Sequence, residues 1–157
     1  MRGTERCGTD GRGRRLHLLR VGTPERAVAA LRRLDRRAFA CLLVWDAAGI
    51  PVEAIVRVAD ALLDAGGVAF DVWGADCERV HDVLDESALE RDPDPTLESV
   101  IMTSWHADPP LSEAIFSFLE VTPAGETYDV RRGLAVLIGE DPARARSVAA
   151  ALADPAG

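Results

Sequence analysis

Phe39-Ala40-Cys41-Leu42-Leu43-Val44-Trp45 runs for seven positions without a charged, amide or hydroxyl side chain. A run this short and this apolar fits a strand covered on both faces, the kind that sits inside a parallel sheet. The residues that follow agree. Pro51 opens a helix whose Val52, Ile55, Val56, Ala59, Leu62 and Leu63 share one face, and Gly66-Gly67 stop it. Val68 to Trp73 is then a second apolar strand. Strand, helix and strand in that order predict a βαβ unit with parallel strands and a right-handed crossover.

The same alternation continues in both directions. Toward the N-terminus, Thr23-Pro24-Glu25 reads as an N-cap, a first-turn proline and an acid at the positive end of a helix running to about Leu34. Leu16 to Val21 before it reads as a short edge strand. Toward the C-terminus, Asp76 reads as the N-cap of a helix that buries Val80, Val83 and Leu84. Asp92-Pro93-Asp94-Pro95 is a loop, and Ser99 to Trp105 a strand with a polar end. The helix after Pro109-Pro110 packs through Leu111, Ala114, Ile115, Phe118 and Leu119. A looser stretch from Thr122 to Arg132 leads into a strand at Leu134 to Ile138. Asp141-Pro142 then starts a last helix that packs through Ala145, Val148, Ala149 and Leu152.

The pattern predicts one α/β domain over residues 16–153, in three layers. Its sheet is expected to be mostly parallel, of four or five strands, with helices on both faces in a Rossmann-like or flavodoxin-like arrangement. Residues 1–15 form a basic Gly/Arg-rich arm expected to be disordered, and residues 154–157 a short tail.

Composition removes whole chemistries. All 18 basic residues of the 157 are Arg, and the chain has no Lys, Asn or Gln. A phosphate-binding P-loop and a Schiff-base enzyme both need a Lys, so both are excluded. Residues 1–37 hold 11 Arg and 4 acids, whereas residues 38–157 hold 7 Arg and 22 acids. So acidic a body repels phosphate backbones, which argues against nucleic acid as its partner. No apolar stretch approaches the roughly 18 residues of a membrane span. Three cysteines without a secretory pattern point to reduced thiols in the cytoplasm. Nothing in the sequence calls for a cofactor. A small molecule or a protein remains as the partner.

In open α/β sheets, ligands sit at the carboxyl ends of the strands, near the point where strand order reverses. Those ends carry Asp46, then Trp73, Gly74, Asp76 and Cys77, then Ser104, Trp105, His106 and Asp108, and last Gly139, Glu140 and Asp141. A binding pocket is expected among Trp73, Gly74, Asp76, Ser104, Trp105 and Asp108, which makes the chain a small binding or regulatory domain. The alternative is a thiol-dependent hydrolase or transferase. There Cys77, in the first turn of a helix, is the nucleophile, His106 the base and Asp46 the orienting carboxylate. Any metal site would draw on Cys77, His81 and His106.

Two resemblances bear on this. Leu42 to Gly49 resembles the first motif of haloacid-dehalogenase-type phosphatases, with Thr103 or Ser104 and Gly139-Glu140-Asp141 in the places of later motifs. The general acid of that first motif is Ala48 here, and the Lys is lacking. Trp73-Gly74-Ala75-Asp76-Cys77 and Met102 to Asp108 resemble a family of bacterial domains of unknown function. In that family tryptophan-glycine-x-aspartate-cysteine and threonine-tryptophan-histidine segments stand out. The second reads Ser104-Trp105-His106 in this chain. The likeness also takes in Leu16-His17-Leu18 and Gly22-Thr23-Pro24. It implies a small cytoplasmic domain and names no activity.

Overall fold

Every residue of Phe39–Trp45 is buried, as a strand covered on both sides must be. The computed structural model describes residues 1–122 and 129–157. In chain order the elements are β1 (Glu5–Thr9), β2 (Arg15–Val21), α1 (Pro24–Leu31), β3 (Phe39–Trp45), α2 (Val52–Ala65) and β4 (Gly67–Trp73). There follow α3 (Cys77–Arg91), β5 (Met102–His106), α4 (Leu111–Phe116), β6 (Arg132–Ile138) and α5 (Pro142–Ala153). A π-helical turn, Ser117–Val121, continues α4. Of the looser stretch expected before β6, residues 123–128 lie outside the described residues.

The sheet has six strands in the order β1-β2-β6-β3-β4-β5. All neighbours run parallel except β1 and β2. One hydrophobic core lies between the sheet and α1, α2 and α3, and includes Leu31, Ile55, Leu62 and Leu84. A second lies on the opposite face, where Ile115, Phe118, Val148 and Leu152 of α4, the π turn and α5 pack. The three-layer α/β architecture is therefore as the alternation predicts, with more strands than the four or five expected.

The additional strand lies in the arm. Instead of being disordered, Glu5–Thr9 folds back on β2 as a hairpin. Asp10 makes the turn: its Oδ1 accepts from the amides of Arg12 at 3.0 Å and Arg14 at 2.9 Å. Arg14 is 1% exposed, and its Nε lies 2.6 Å from Asp10 Oδ2. Its Nη2 donates to the Phe118 and Leu119 carbonyls at 2.8 and 3.0 Å. Arg12 donates to the Glu120 and Thr122 carbonyls. A π turn leaves carbonyls without helical partners, and two guanidiniums from the hairpin satisfy four of them. Gly8 is needed where the hairpin crosses α5, since a Cβ there would stand 2.4 Å from the Leu152 carbonyl oxygen.

Three smaller expectations change with it. β2 is not an edge strand, because β1 covers its outer side. β5 begins at Met102, and Ser99 and Val100 instead close a turn through their amides to the Thr96 carbonyl. Thr23 and Asp141 cap their helices through the Arg26 and Arg144 amides, but Asp76 makes no such bond. Its backbone is left-handed (φ 62°), and its carboxylate turns to Arg79 at 2.6 Å.

Candidate functional site

Strands β2, β6 and β3 lie side by side, but the helices that follow them leave for opposite faces. α1 and α2 depart to one side, and α5 to the other. The chain parts above β6, and a crevice of about 820 Å³ opens at the carboxyl ends of these strands. Val21, Val44, Ile50, Leu137 and Ile138 supply its apolar floor and wall. Its charged groups are Arg20, Asp46, Glu140, Asp141 and Arg144.

Most of those charges are already paired. Asp46 Oδ1 accepts from the Ala75 amide at 2.9 Å, and Oδ2 from Arg144 Nη1 at 2.5 Å. The amide first, and Arg144 after it, hold the Asp46 carboxyl below its ordinary pKa. Arg144 also pairs with Asp141 at 3.1 Å and lies 4.9 Å over the ring of Trp73. The helix ends that face the crevice are capped from within, α1 by Thr23 on the Arg26 amide and α5 by Asp141 on the Arg144 amide. The proline that opens each helix has no amide N–H to offer, so less is left for an anion. Arg20 is drawn toward Glu5 at 3.6 Å. Glu140 differs. It is exposed and has no hydrogen-bond or ion-pair partner among the described residues. Its carboxylate stands over Gly22, where an added Cβ would meet Oε1 at 3.4 Å.

A smaller depression of about 280 Å³ shares Asp46 and is lined by Trp73, Gly74, Ala75, Asp76, Cys77, Glu78 and Ala107. Five residues expected at a site on sequence grounds, Asp46, Trp73, Gly74, Asp76 and Cys77, therefore do meet at one surface. Gly74 has φ 132°, and a Cβ there would lie 2.2 Å from the Trp45 carbonyl oxygen, so only glycine fits. Ser104, Trp105 and Asp108 line neither cavity. Trp105 lies on the α3 side of β5, tilted over His81 with ring centroids 4.5 Å apart.

The thiol arrangement is not assembled. His106 does stand opposite Trp73 in the sheet, but its Nε2 is bonded to Asp71 Oδ1 at 2.9 Å. Asp46 is engaged by Ala75 and Arg144 instead. Cys77 is 1% exposed and packs in the core beneath α1, α2 and α3. Burial pushes its thiol above the ordinary pKa, and the backbone of His106 and its own helix start pull back without cancelling that. That is the reverse of an activated nucleophile. The metal reading meets a similar obstacle. Among the described residues no three His, Cys, Asp or Glu side chains converge on a point, so Cys77, His81 and His106 form no ligand set. His81 is occupied by Asp82, Asp85 and Thr103.

Sequence reasoning passed over Asp71. It is 0% exposed, in the middle of β4, and one oxygen accepts from Ser104 Oγ at 2.9 Å, Ser117 Oγ at 2.7 Å and His106 Nε2 at 2.9 Å. The other accepts from Thr122 Oγ1. A buried carboxylate so fully paired is a cross-link between β4, β5 and the π turn. The available signal was a lone acid inside the apolar run Val68 to Trp73. Arg144 was missed as well, although its spacing of three from Asp141 on a helix pointed to a pair.

The fold and crevice together define a doubly wound α/β domain with its cleft at the point where strand order reverses. The chain belongs to the family described as domain of unknown function DUF7684, whose model matches residues 17–155. The match begins inside β2 and so leaves out the β1 hairpin strand. No curated protein matches the chain. No helix among the described residues is long and apolar enough to cross a membrane.

Proposed function

We propose that this chain is a binding domain for a small molecule, held in the crevice above β2, β6 and β3. The ligand class follows from what the crevice leaves unpaired. Its apolar surfaces suit a compact hydrocarbon or aromatic body. Its one carboxylate without a partner, Glu140, suits a protonated amine or another donor end. An anionic ligand has less to meet, since Arg144 is held between Asp46 and Asp141 and both helix starts are capped. The observation that carries the reading is the unpartnered Glu140 at the rim of an 820 Å³ crevice at the reversal point. A regulatory role in the cytoplasm, with Cys7, Cys41 and Cys77 as free thiols, accords with it.

The test is thermal unfolding with matched pairs of small amines and carboxylic acids, tyramine against 4-hydroxyphenylacetate for example. Amines are expected to raise the midpoint and acids to leave it unchanged. A Cβ added at Gly22 meets only the Glu140 side chain, and Gly22→Leu is expected to narrow the crevice from that point with the core undisturbed. It should abolish the amine shift. Stabilisation by acids, or by amines in both proteins alike, contradicts the proposal.

A further inference from the structure

The two edges of the sheet are built differently. β1 carries Glu5 and Arg6, and its register against β2 slips between Arg6 and Gly8. Charges and bulges are what keep an edge strand from pairing with another chain. β5 has neither protection. Met102-Thr103-Ser104-Trp105-His106 contains no Arg, Asp, Glu or Pro, and its register with β4 is regular. Among the described residues it makes no backbone-to-backbone hydrogen bond outside the β4 ladder. Met102 is 45% and Trp105 44% exposed on this edge, large apolar side chains open to an incoming strand.

The surroundings of β5 are acidic. Between Asp82 and Glu120 the chain carries ten Asp and Glu and one Arg. That Arg91 is turned away, to Asp60 and Asp64 on α2. Asp85 accepts from Thr103 Oγ1 of β5, and Asp82 and Asp85 flank the His81 ring that supports Trp105. We propose that the β5 edge is a docking site for an extended, basic segment of a partner protein, which adds to the sheet beside β5. Backbone hydrogen bonds to the vacant edge would hold it, and Arg or Lys side chains would meet Asp82 and Asp85. A second copy of the chain fits less well. Two β5 edges would bring two acidic flanks together, and the basic β1 end is interrupted by its bulge.

The probe is an acetylated, amidated peptide of about seven residues in which Arg alternates with Val and Thr, with a second peptide carrying Glu in place of Arg. Binding is followed by amide hydrogen exchange of the full chain. The Arg peptide is expected to slow exchange within β5, and the Glu peptide to have no effect. Raising NaCl from about 50 to about 300 mM should weaken binding by about tenfold. Met102→Lys places a guarding charge on an exposed side chain and should weaken it by about tenfold as well, with the unfolding temperature unchanged. Binding that leaves β5 amides unprotected, or that ignores Met102→Lys, is attraction to an acidic surface and overturns the proposal. So does a dimer in sedimentation that Met102→Lys dissolves, since the edge would then belong to a second copy.

Discussion

Replacing Arg14 by Ala removes the guanidinium that joins the β1–β2 hairpin to the π turn. Arg14 and Asp10 are each 1% exposed at the side chain and 2.6 Å apart. The substitution leaves Asp10 buried with backbone amides alone, and strands the Phe118 and Leu119 carbonyls that Arg14 caps. Removing one partner of a buried ion pair costs about 3–5 kcal/mol, and the lost contact with the Phe118 ring is contained in that figure. For a chain of this length about 4 kcal/mol lowers the unfolding temperature by roughly 8–16 °C. In urea the midpoint falls by about 2 M, at a slope of about 2 kcal/mol/M. The assay is urea unfolding followed by tryptophan fluorescence, which reports on the buried Trp45. Arg14→Lys keeps the charge but not the forked donors, so it should lie between wild type and Arg14→Ala. The double variant Asp10→Asn with Arg14→Met leaves no buried charge and should recover part of the loss. A loss under about 1 kcal/mol for Arg14→Ala would mean the hairpin is not part of the cooperative unit.

Three further outcomes follow from the packing. Asp71→Ala leaves Ser104, Ser117, Thr122 and His106 without their shared acceptor and should cost about 3–5 kcal/mol in urea unfolding, with Asp71→Asn costing less. Cys77 should react with iodoacetamide only on unfolding, and a reaction midpoint well below the reference value of about 8.5 would reinstate it as a nucleophile. His17 is 7% exposed, with Nδ1 3.0 Å from Thr4 Oγ1; burial first, then the N-terminal amine and Arg132, lower its pKa to about 4. Because the unfolded chain takes up this proton near pH 6.5 and the folded chain near pH 4, stability should be full above the first value and decline toward the second. Allowing for solvent near the strand, the decline attributable to His17 is about 1–2 kcal/mol. His17→Gln should remove it from the difference in urea midpoint between about pH 7.5 and about pH 5.

What could be read from the sequence was whatever local patterning controls. β3, β4 and the helices between β2 and β5 follow from apolar runs, proline starts and Gly66-Gly67, because their burial is written into consecutive side chains. β1 has no such pattern. Glu5-Arg6-Cys7-Gly8-Thr9 is a strand because a turn at Asp10 and two arginines tie it down, and those partners lie more than a hundred positions away. The site shows the same division. Asp46, Gly139, Glu140 and Asp141 of the crevice were legible as strand-end residues, where such sheets gather ligands, whereas Trp73 and Gly74 line the smaller depression. That β6 inserts between β2 and β3, and so brings Glu140 beside Gly22, depends on strand order, which single-chain patterning does not carry. His106 falls opposite Trp73 in the structure, but its partner Asp71 was hidden among apolar neighbours.

The central claim is that the crevice above β6 is the binding surface. Its most direct test is a ¹H–¹⁵N correlation titration of the full chain with tyramine, the amine of the matched pair. The account predicts saturable shifts that converge on Val21-Gly22, Trp45-Asp46 and Ile138-Gly139-Glu140, and that vanish in Gly22→Leu. Shifts centred on the smaller depression at Asp76, Cys77 and Ala107, or spread over the acidic surface without saturation, would contradict it.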